Sequence, residues 1–456
     1  MHDDIFGQPT SLTSAVARSE WDAAQKGFLA HAAATPSHLA ATLGAEPDFA
    51  MGHAVKGLFT LLMGRRELDQ TAAEALAAAR RLSDVGGATA RERLYVQALA
   101  AYLGGRPSGA VVALERVLDA HPGDALAAKL SHSIRFVLGD AAGMRASVER
   151  VLPALALDHP ARGYLLGCHA FALEETGAYR RAEIAGRQAL WTAPDDAWGL
   201  HAVAHVHDMT GRSRAGIDWL AGREAAWAHC NNFRYHVWWH RALLHLDLGE
   251  IDTVIDLYDA EIRADRTDDY RDISNAASLL MRLDLDGVDV GARWEELAAI
   301  SERRTEDGCL IFADLHYALA LVGGGRDVAL GRLMARIARD AGRRATESDG
   351  RMAEPGLAAA AGLAAFGAGD HATAFRHLRA ARGTMQRAGG SHAQRDVFER
   401  MTIDAGLRAG FLDAAAALLD ERARRRGGTE DGYAAARRAM IGESRRAMSA
   451  GAVPAE

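Results

Sequence analysis

The chain is patterned as pairs of short amphipathic helices separated by glycine. In CHAFALEETGAYRRAEIAGRQALWTAPDD (168–196), apolar and small residues on each side of Gly177 follow the spacing of one helix face. Ala182 and Ala189 lie on the inner side of the second helix, and Pro194 ends it. The pattern predicts a helical hairpin with its turn at Gly177.

The same unit recurs along the chain. QALAAYLGGRPSGAVVALERVLDAHPGD (97–124) repeats it, with glycine, alanine and proline at the same relative offsets. The register gives ten turn glycines, 34 to 44 residues apart: Gly64, Gly105, Gly139, Gly177, Gly211, Gly249, Gly287, Gly325, Gly369 and Gly410. Seven residues before most of them lies a small residue: Gly57, Ala98, Ala170, Ala204, Ala242, Ala318 and Gly362. The exceptions are His132, Leu280 and Ile403.

A period of this length with a small residue at the helix contact is typical of tetratricopeptide-type hairpins. About ten of them predict an all-α, tetratricopeptide-like superhelix, because neighbouring hairpins stack to bury a continuous core. No strand pattern or long Ser/Pro linker interrupts the repeat. We therefore expect one domain over residues 1–440 and a frayed tail over 441–456.

Helix geometry separates side chains that face the interior of such a solenoid from those that pack between hairpins. At about 100° per residue, the positions thirteen, ten, nine, six and three before each turn glycine fall between about +40° and +160° from the small residue. In this type of solenoid that flank lines the concave surface. Counting back from each glycine therefore predicts which side chains face the groove.

Two adjacent first helices place histidine and tryptophan on this concave flank. Counted from Gly211, the concave positions are Trp198, His201, Ala202, His205 and Asp208; counted from Gly249, they are His236, Trp239, His240, Leu243 and Leu246. The repeat that ends at Gly325 adds Phe312 and His316, and the one that ends at Gly177 adds Cys168, Phe171 and Glu174. By the same count His53, His169, His207 and His245 fall on the packing flank and are expected in the core.

Several kinds of site use residues of this type. His201, His205, His236 and His240 form two HxxxH pairs, whose spacing suits the ligands of a divalent metal. A hydrolase could instead use His201, His205 or His240 as acid/base groups, oriented by Asp208 or Glu174. A binding pocket for a small molecule or peptide needs no chemistry, and Trp198 and Trp239 could also pack between helices. The residues alone leave these alternatives open.

Charge and composition narrow the range of partners. The chain has 53 Lys+Arg against 60 Asp+Glu, a net charge of -7 and no basic block, so nucleic acid is not expected as a partner. The start, MHDDIFGQPTSL, is acidic where a secretory signal is basic, and no stretch approaches the ~20 apolar residues of a membrane span. We expect a cytoplasmic protein that does not bind membranes, with reduced thiols at Cys168, Cys230 and Cys309. Homo-oligomerisation is left open.

Five segments resemble one known family. They are YLLGCHAFALEETGAYRRAE, WGLHAVAHVHDMTGR, HVWWHRALLHLDLGEIDTVIDLYDAEI, FADLHYALAL and GGSHAQRDVFER. In this order they resemble the tetratricopeptide-repeat protein 38 family, and the similarity runs from about Gly7 to about Gly410. The resemblance implies a soluble, repeat-built protein and brings no settled activity with it.

The resemblance also directs attention to GGSHAQRD (389–396). Ser391 and Gln394 form an S-x-x-Q capping box that opens a helix. That cap leaves His392, Arg395 and Asp396 unexplained. Arg395 is expected to bring a carboxylate-binding guanidinium to the end of the groove, with a solvated surface arginine as the alternative.

Overall fold

The structure is a computed structural model that describes residues 2–85 and 87–451. A small antiparallel ribbon of β1 (His2–Asp3) and β2 (Pro9–Thr10) precedes the helices. The helices of the first half are α1 (Ala15–Leu29), α2 (Thr35–Ala45), α3 (Ala50–Leu62), α4 (Asp69–Val85), α5 (Ala90–Leu103), α6 (Pro107–Ala120), α7 (Ala125–Leu138), α8 (Ala141–Val151), α9 (Arg162–Glu175), α10 (Tyr179–Thr192), α11 (Ala197–Met209) and α12 (Ser213–Leu220). Those of the second half are α13 (Ala225–Ala228), α14 (Phe233–Asp247), α15 (Ile251–Leu257), α16 (Tyr270–Leu285), α17 (Arg293–Arg303), α18 (Ile311–Gly323), α19 (Asp327–Arg343), α20 (Glu347–Arg351), α21 (Leu357–Gly367), α22 (His371–Arg382), α23 (His392–Arg408), α24 (Leu412–Arg425) and α25 (Gly432–Gly451). The chain is an all-α, tetratricopeptide-like solenoid, as its sequence period predicts.

All ten predicted turn glycines lie at the end of a first helix with positive φ, from +60° at Gly64 to +79° at Gly287. At the turn between α9 and α10, the N–H of Gly177 donates to Glu174 O (2.9 Å) and the N–H of Ala178 donates to Leu173 O (2.8 Å). Two carbonyls at the end of α9 are thereby satisfied in the left-handed geometry that glycine adopts without strain. The ten hairpins of the sequence register are confirmed.

The small residues seven positions before the turns lie where paired helices touch. A Cβ added to Gly57 would lie 2.5 Å from Leu99 Cδ2, and one added to Gly362 would lie 2.6 Å from Leu378 Cγ. Such distances are shorter than any van der Waals contact between carbon atoms. A larger side chain at either position would therefore force its helix away from its partner.

Contacts between residues about 240 positions apart close the solenoid on itself. Arg66 Nη1 donates to Glu306 O at 2.9 Å, and Gln386 Nε2 donates to Gly139 O at 2.9 Å. Tyr179 OH donates to Arg425 O at 2.8 Å. The second turn of the superhelix therefore lies against the first, and the concave surface becomes an interior.

The C-terminal helix α25 is helical as far as Gly451, which covers most of the predicted frayed segment 441–456; residues 452–456 lie outside the described residues. The extent of the domain stays a prediction. Among the described helices, none has both the length and the apolar composition that a bilayer span requires.

Candidate functional site

The interior of the superhelix contains a cavity of about 510 Å³. First helices of eight repeats, together with α1 and α2, contribute to its wall, because the concave flanks of successive first helices face the same axis. The aromatic side chains of the wall are Phe28, Phe59, Phe136, Phe171, Trp198, Phe233, Tyr270 and Phe312. The wall thus combines aromatic rings with many polar groups, among them the charged side chains of Arg65, Lys129, Asp268, Asp269 and Arg271.

Trp198 is the centre of the aromatic wall. Its ring lies 4.6 Å from Phe171, 5.4 Å from Phe233 and 5.4 Å from His31, measured between centroids. Asp196 caps the start of α11 by accepting a hydrogen bond from Gly199 N at 3.1 Å, which fixes where this helix begins. Burial raises the pKa of Asp196 to about 7.

Lys129 is a buried cation in this wall. Lys129 is only 1% exposed, and its Nζ lies 4.7 Å from the centroid of the Trp198 ring. Nζ also lies 3.8 Å from Cys168 Sγ, and within the described residues it forms no ion pair with a carboxylate. Burial raises the pKa of the Cys168 thiol to about 11, so the thiol is protonated and unreactive at neutral pH. Lys129 interacts electrostatically with the buried Asp196 and opposes the rise in the pKa of that carboxyl. The cavity wall therefore contains a cation that makes no direct salt bridge within the described part of the chain.

Four histidine side chains converge beside the cavity. His201 and His205 are one turn apart on α11, and His236 and His240 are one turn apart on the neighbouring α14. One nitrogen from each of the four rings lies within 4.8 Å of one nitrogen from every other. The two HxxxH pairs thus meet at one place, and we call these four residues the imidazole cluster.

Hydrogen bonds from Nδ1 fix the orientation of two of these rings. His201 Nδ1 donates to Trp198 O at 2.8 Å, and His236 Nδ1 donates to Asn275 Oδ1 at 2.9 Å. The Nε2 atom of each ring is therefore unprotonated when the ring is neutral. His236 Nε2 lies 3.1 Å from His240 Nε2, and neither ring nitrogen of His205 has a hydrogen-bond partner among the described residues.

Burial keeps the imidazole cluster uncharged. Removal from water lowers the pKa of His236 to about 4 and lowers the pKa values of His201, His205 and His240 well below their usual range. Neighbouring histidines lower the last three further, because two protonated rings at this distance would repel each other. The four rings therefore present neutral nitrogen donors at physiological pH.

A carboxylate lies behind His205. Glu174 Oε2 is 3.6 Å from His205 Nδ1, and Glu174 Oε1 accepts a hydrogen bond from His392 Nε2 at 2.6 Å. His392 Nδ1 also lies 3.2 Å from Glu175 Oε1. Burial opposes a charged His392, but the two carboxylates raise its pKa to about 9. The start of α23 thus braces the end of α9 through an ion pair that connects the two superhelical turns.

Some of the predicted ligand-binding residues line the cavity, others lie directly behind its wall, and the rest lie away from it. Trp198, His201, His236 and Phe312 line the cavity. His205 and His240 lie behind the wall, where they complete the imidazole cluster. The prediction that all of these side chains line one concave surface is corrected for His205 and His240, because the second superhelical turn covers that part of the concave flank.

Four further candidates lie away from the cavity. Trp239 is fully buried, with its ring stacked on His236 at 5.2 Å, so it is a packing residue. His316 packs between Phe312 and Phe398, outside the imidazole cluster. Asp208 Oδ1 accepts a hydrogen bond from Arg426 Nη2 at 3.2 Å and does not orient an imidazole; Glu174 lies beside His205 instead.

Arg395 does not offer a free guanidinium to a ligand. Its Nη1 donates to Gly389 O at 3.2 Å and to Gly390 O, and its Nη2 lies 3.4 Å from Glu175 Oε2. The expectation of a carboxylate-binding fork at the end of the groove is therefore corrected. Its donors instead hold the loop before α23, next to the capping box in which Ser391 Oγ accepts from Gln394 N at 3.2 Å.

Sequence reasoning missed several residues of the site. Lys129 lies ten residues before Gly139, at a concave offset, so the register itself could have found it. His132, at the small-residue position of that repeat, also lines the cavity. His31 comes from the connection between α1 and α2, where no repeat register applies.

Comparisons with known proteins identify no family for this chain. No protein-family model matches the chain. Similar solved structures include a human IFIT1 dimer with PPP-AAAA (15% identity, TM-score 0.41, 90% of this chain and 91% of that chain) and a human IFIT1 dimer with m7Gppp-AAAA (16%, 0.37, 89% and 90%). The Naa15/Naa10 complex bound to HypK-THB is also similar (13%, 0.25, 90% and 63%). None of these comparisons identifies the tetratricopeptide-repeat protein 38 family.

The exclusion of nucleic acid as a partner is corrected by this comparison. Both IFIT1 structures contain an RNA ligand, PPP-AAAA or m7Gppp-AAAA. The exclusion used net charge alone, and net charge describes the whole surface but not the lining of an enclosed interior. Overall acidity therefore does not decide this class of partner.

Proposed function

We propose that the protein binds an anionic, largely apolar small molecule inside its closed superhelix. The observation that carries this proposal is the ammonium group of Lys129, buried in an aromatic wall with no direct salt bridge among the described residues and with Asp196 as a more distant carboxyl neighbour. A buried charge without a direct partner is unfavourable, so an anionic group on the ligand would supply that interaction. The rings around Trp198 would contact the apolar part of the same ligand.

The size and closure of the cavity favour a small molecule over a peptide. Its volume of about 510 Å³ lies within the roughly 300–1,000 Å³ of small-molecule sites. Contacts such as Gln386 Nε2 to Gly139 O close the groove through which an extended peptide would pass. The ligand class that fits is an aromatic or alkyl carboxylate of modest size.

Membership of the tetratricopeptide-repeat protein 38 family is part of the same proposal. The five long segments that resemble the family include WGLHAVAHVHDMTGR and HVWWHRALLHLDLGEIDTVIDLYDAEI, which carry the imidazole cluster. The family assignment supplies no ligand, so the ligand class rests on the cavity.

The test is calorimetric titration of the full chain with 4-phenylbutyrate and with its uncharged amide, 4-phenylbutyramide. We expect the acid to bind more tightly, because only the acid neutralises Lys129. Lys129→Met should remove the preference for the acid while the amide still binds. Lys56→Met is the matched control, since Lys56 is exposed on α3. Equal binding of acid and amide by the unmodified protein, or a preference that survives Lys129→Met, would contradict the proposal.

A second candidate function, a hydrolase, is favoured by the imidazoles at the cavity wall. His201 and His236 each keep an unprotonated Nε2 in a pocket that can hold a substrate, and such a nitrogen can accept a proton from water. The check is the hydrolysis of 4-nitrophenyl butyrate by the unmodified protein and by His201→Gln. A rate no higher than in buffer, or an unchanged rate in His201→Gln, would exclude this candidate for that ester.

A further inference from the structure

We infer that the imidazole cluster of His201, His205, His236 and His240 is a binding site for one divalent transition-metal ion. The site does not include Lys129, which carries the function proposed above, although His201 and His236 also belong to the wall of that cavity. It rests on the geometry of the four rings, on their hydrogen bonds and on the carboxylate behind them.

The ring nitrogens lie at the separation that a metal ion requires. Tetrahedral coordination with metal to nitrogen bonds of about 2.0–2.1 Å places the ligand nitrogens about 3.3 Å apart. His236 Nε2 and His240 Nε2 are 3.1 Å apart, and the nitrogens of all four residues lie within 4.8 Å of one another. Small rotations of the rings would bring all four nitrogens to one ion.

The hydrogen bonds orient the rings as metal-bound histidines are oriented. A ligating imidazole donates its other N–H to a carbonyl or carboxylate oxygen, which leaves the lone pair directed at the metal. His201 and His236 do this through Trp198 O and Asn275 Oδ1. In both rings the free Nε2 is the atom available to an ion.

Within the imidazole cluster, His205 is the residue with both ring nitrogens unsatisfied. It is fully buried, and within the described part of the chain neither of its nitrogens has a hydrogen-bond partner. Unsatisfied buried nitrogens are unfavourable. A metal ion on one nitrogen would satisfy that atom and would draw the N–H of the other towards Glu174 Oε2, now 3.6 Å away.

Glu174 places a carboxyl group directly behind one ligand of the proposed ion, 3.6 Å from His205 Nδ1. Four neutral imidazoles leave the charge of the ion uncompensated, and one carboxylate next to a ligand reduces that cost. Both carboxylates already contact His392, which makes them a poor metal site of their own. We therefore place the ion among the imidazoles and assign Glu174 as the positioning residue for His205.

The ligand set selects the class of ion. Imidazole nitrogen suits zinc, iron, cobalt, nickel and copper, whereas magnesium and calcium prefer oxygen. Because His201 and His236 also line the cavity, an ion held by the cluster would face the bound small molecule. A metal at this position would therefore be accessible from the ligand pocket.

The experiment uses the full untagged chain, stripped with dipicolinate and titrated with Co²⁺ while visible ligand-field absorption is recorded. We expect one Co²⁺ per chain with the intense absorption of a tetrahedral or five-coordinate site, competed by Zn²⁺ and not by Mg²⁺. His240→Gln should weaken Co²⁺ binding by more than the roughly 10–100-fold that loss of an outer partner produces. His316→Gln is the matched control, because His316 is equally buried and donates to Phe312 O but lies outside the cluster.

Failure to bind Co²⁺ stoichiometrically would overturn the inference, as would equal losses of affinity in His240→Gln and His316→Gln. If His240→Gln does not fold, X-ray absorption of the unmodified cobalt protein decides the question, because four imidazoles give a characteristic scattering pattern. Fewer than three imidazole ligands in that spectrum would also overturn the inference. Anionic ligand binding is measured separately by calorimetry, so failure of one proposal is distinguishable from failure of the other.

Discussion

Helices α14 and α18 carry histidine at the same register position, yet the two imidazoles lie in different surroundings. His240 and His316 are each the ninth residue before their turn glycine. The centroids of three other histidine rings lie between 4.1 and 5.3 Å from that of His240. His316 instead contacts Phe312 at 4.4 Å and Phe398 at 5.2 Å.

The difference comes from the helices opposite, and not from the register. Helix α11 lies beside α14 and contributes two further histidines to the space around His240. Helix α23, from the second superhelical turn, covers His316 with Phe398. A repeat register therefore fixes the direction of a side chain, while the neighbouring helices decide whether that side chain becomes part of a site or part of the core.

The largest expected effect belongs to the packing that supports His236. Trp239 is fully buried with its ring stacked on His236, and Arg282 lies 5.5 Å from the same ring. Trp239→Ala should lower the free energy of unfolding by about 3–5 kcal/mol, because it removes a large buried ring and leaves a cavity. Urea unfolding followed by far-UV circular dichroism measures it.

Trp191→Ala is the control for that experiment, since Trp191 is 91% exposed on α10. We expect it to change the free energy of unfolding by at most about 0.5 kcal/mol. Equal losses in the two variants would show that Trp239 is not the packing residue described above.

The next largest expected effect is the stabilisation of the folded protein by metal binding. It should depend on His240 and not on His316. Zinc at one hundred times its dissociation constant should raise the free energy of unfolding by about 2.7 kcal/mol, since only the folded chain holds the four imidazoles together. The stabilisation should persist in His316→Gln and disappear in His240→Gln. Urea unfolding with and without zinc tests this, and stabilisation of all three proteins would place the ion elsewhere.

The fold was predictable from sequence because the same local sequence features recur in ten hairpins. Glycine at each turn and a small residue at most helix contacts are requirements of backbone geometry, so they survive without any knowledge of tertiary structure. The convergence of His201, His205, His236 and His240 was predictable for the same reason, since both pairs lie on one flank of adjacent helices.

The rest of the site depends on contacts that the repeat does not encode. Glu174 and His392 are 218 residues apart in the chain and meet only because the second superhelical turn lies on the first. The sorting of histidines by flank shows the same limit: His207 and His245 are buried as expected, whereas His53 and His169 are only partly buried. The degree of burial depends on how neighbouring helices pack, which the register does not specify.

A smaller effect is expected from the carboxylate behind the cluster. Glu174→Gln keeps the size of the side chain and removes its charge, so we expect metal affinity to fall by about 10–100-fold. Glu175→Gln is the matched control, because Glu175 pairs with His392 and Arg395, and its carboxylate, within 4.8 Å of a His205 nitrogen, lies beyond ion-pair distance of that ring. Cobalt titration of both variants measures the difference. A larger loss of cobalt affinity in Glu175→Gln than in Glu174→Gln would show that the ion pairs of His392, and not the orientation of His205, control binding.

The smallest change in the free energy of unfolding is expected for substitution of His316 on α18. His316 donates from Nδ1 to Phe312 O at 2.7 Å, but its buried Nε2 has no partner among the described residues. His316→Leu exchanges a half-satisfied imidazole for an apolar side chain between two phenylalanine rings, so the free energy of unfolding should change by no more than about 1 kcal/mol. Urea unfolding gives that value, and cobalt titration of the same variant should match the unmodified protein. A loss of cobalt affinity in His316→Leu comparable to that in His240→Gln would mean that the two register-matched histidines serve one site, and the distinction between α14 and α18 would fail.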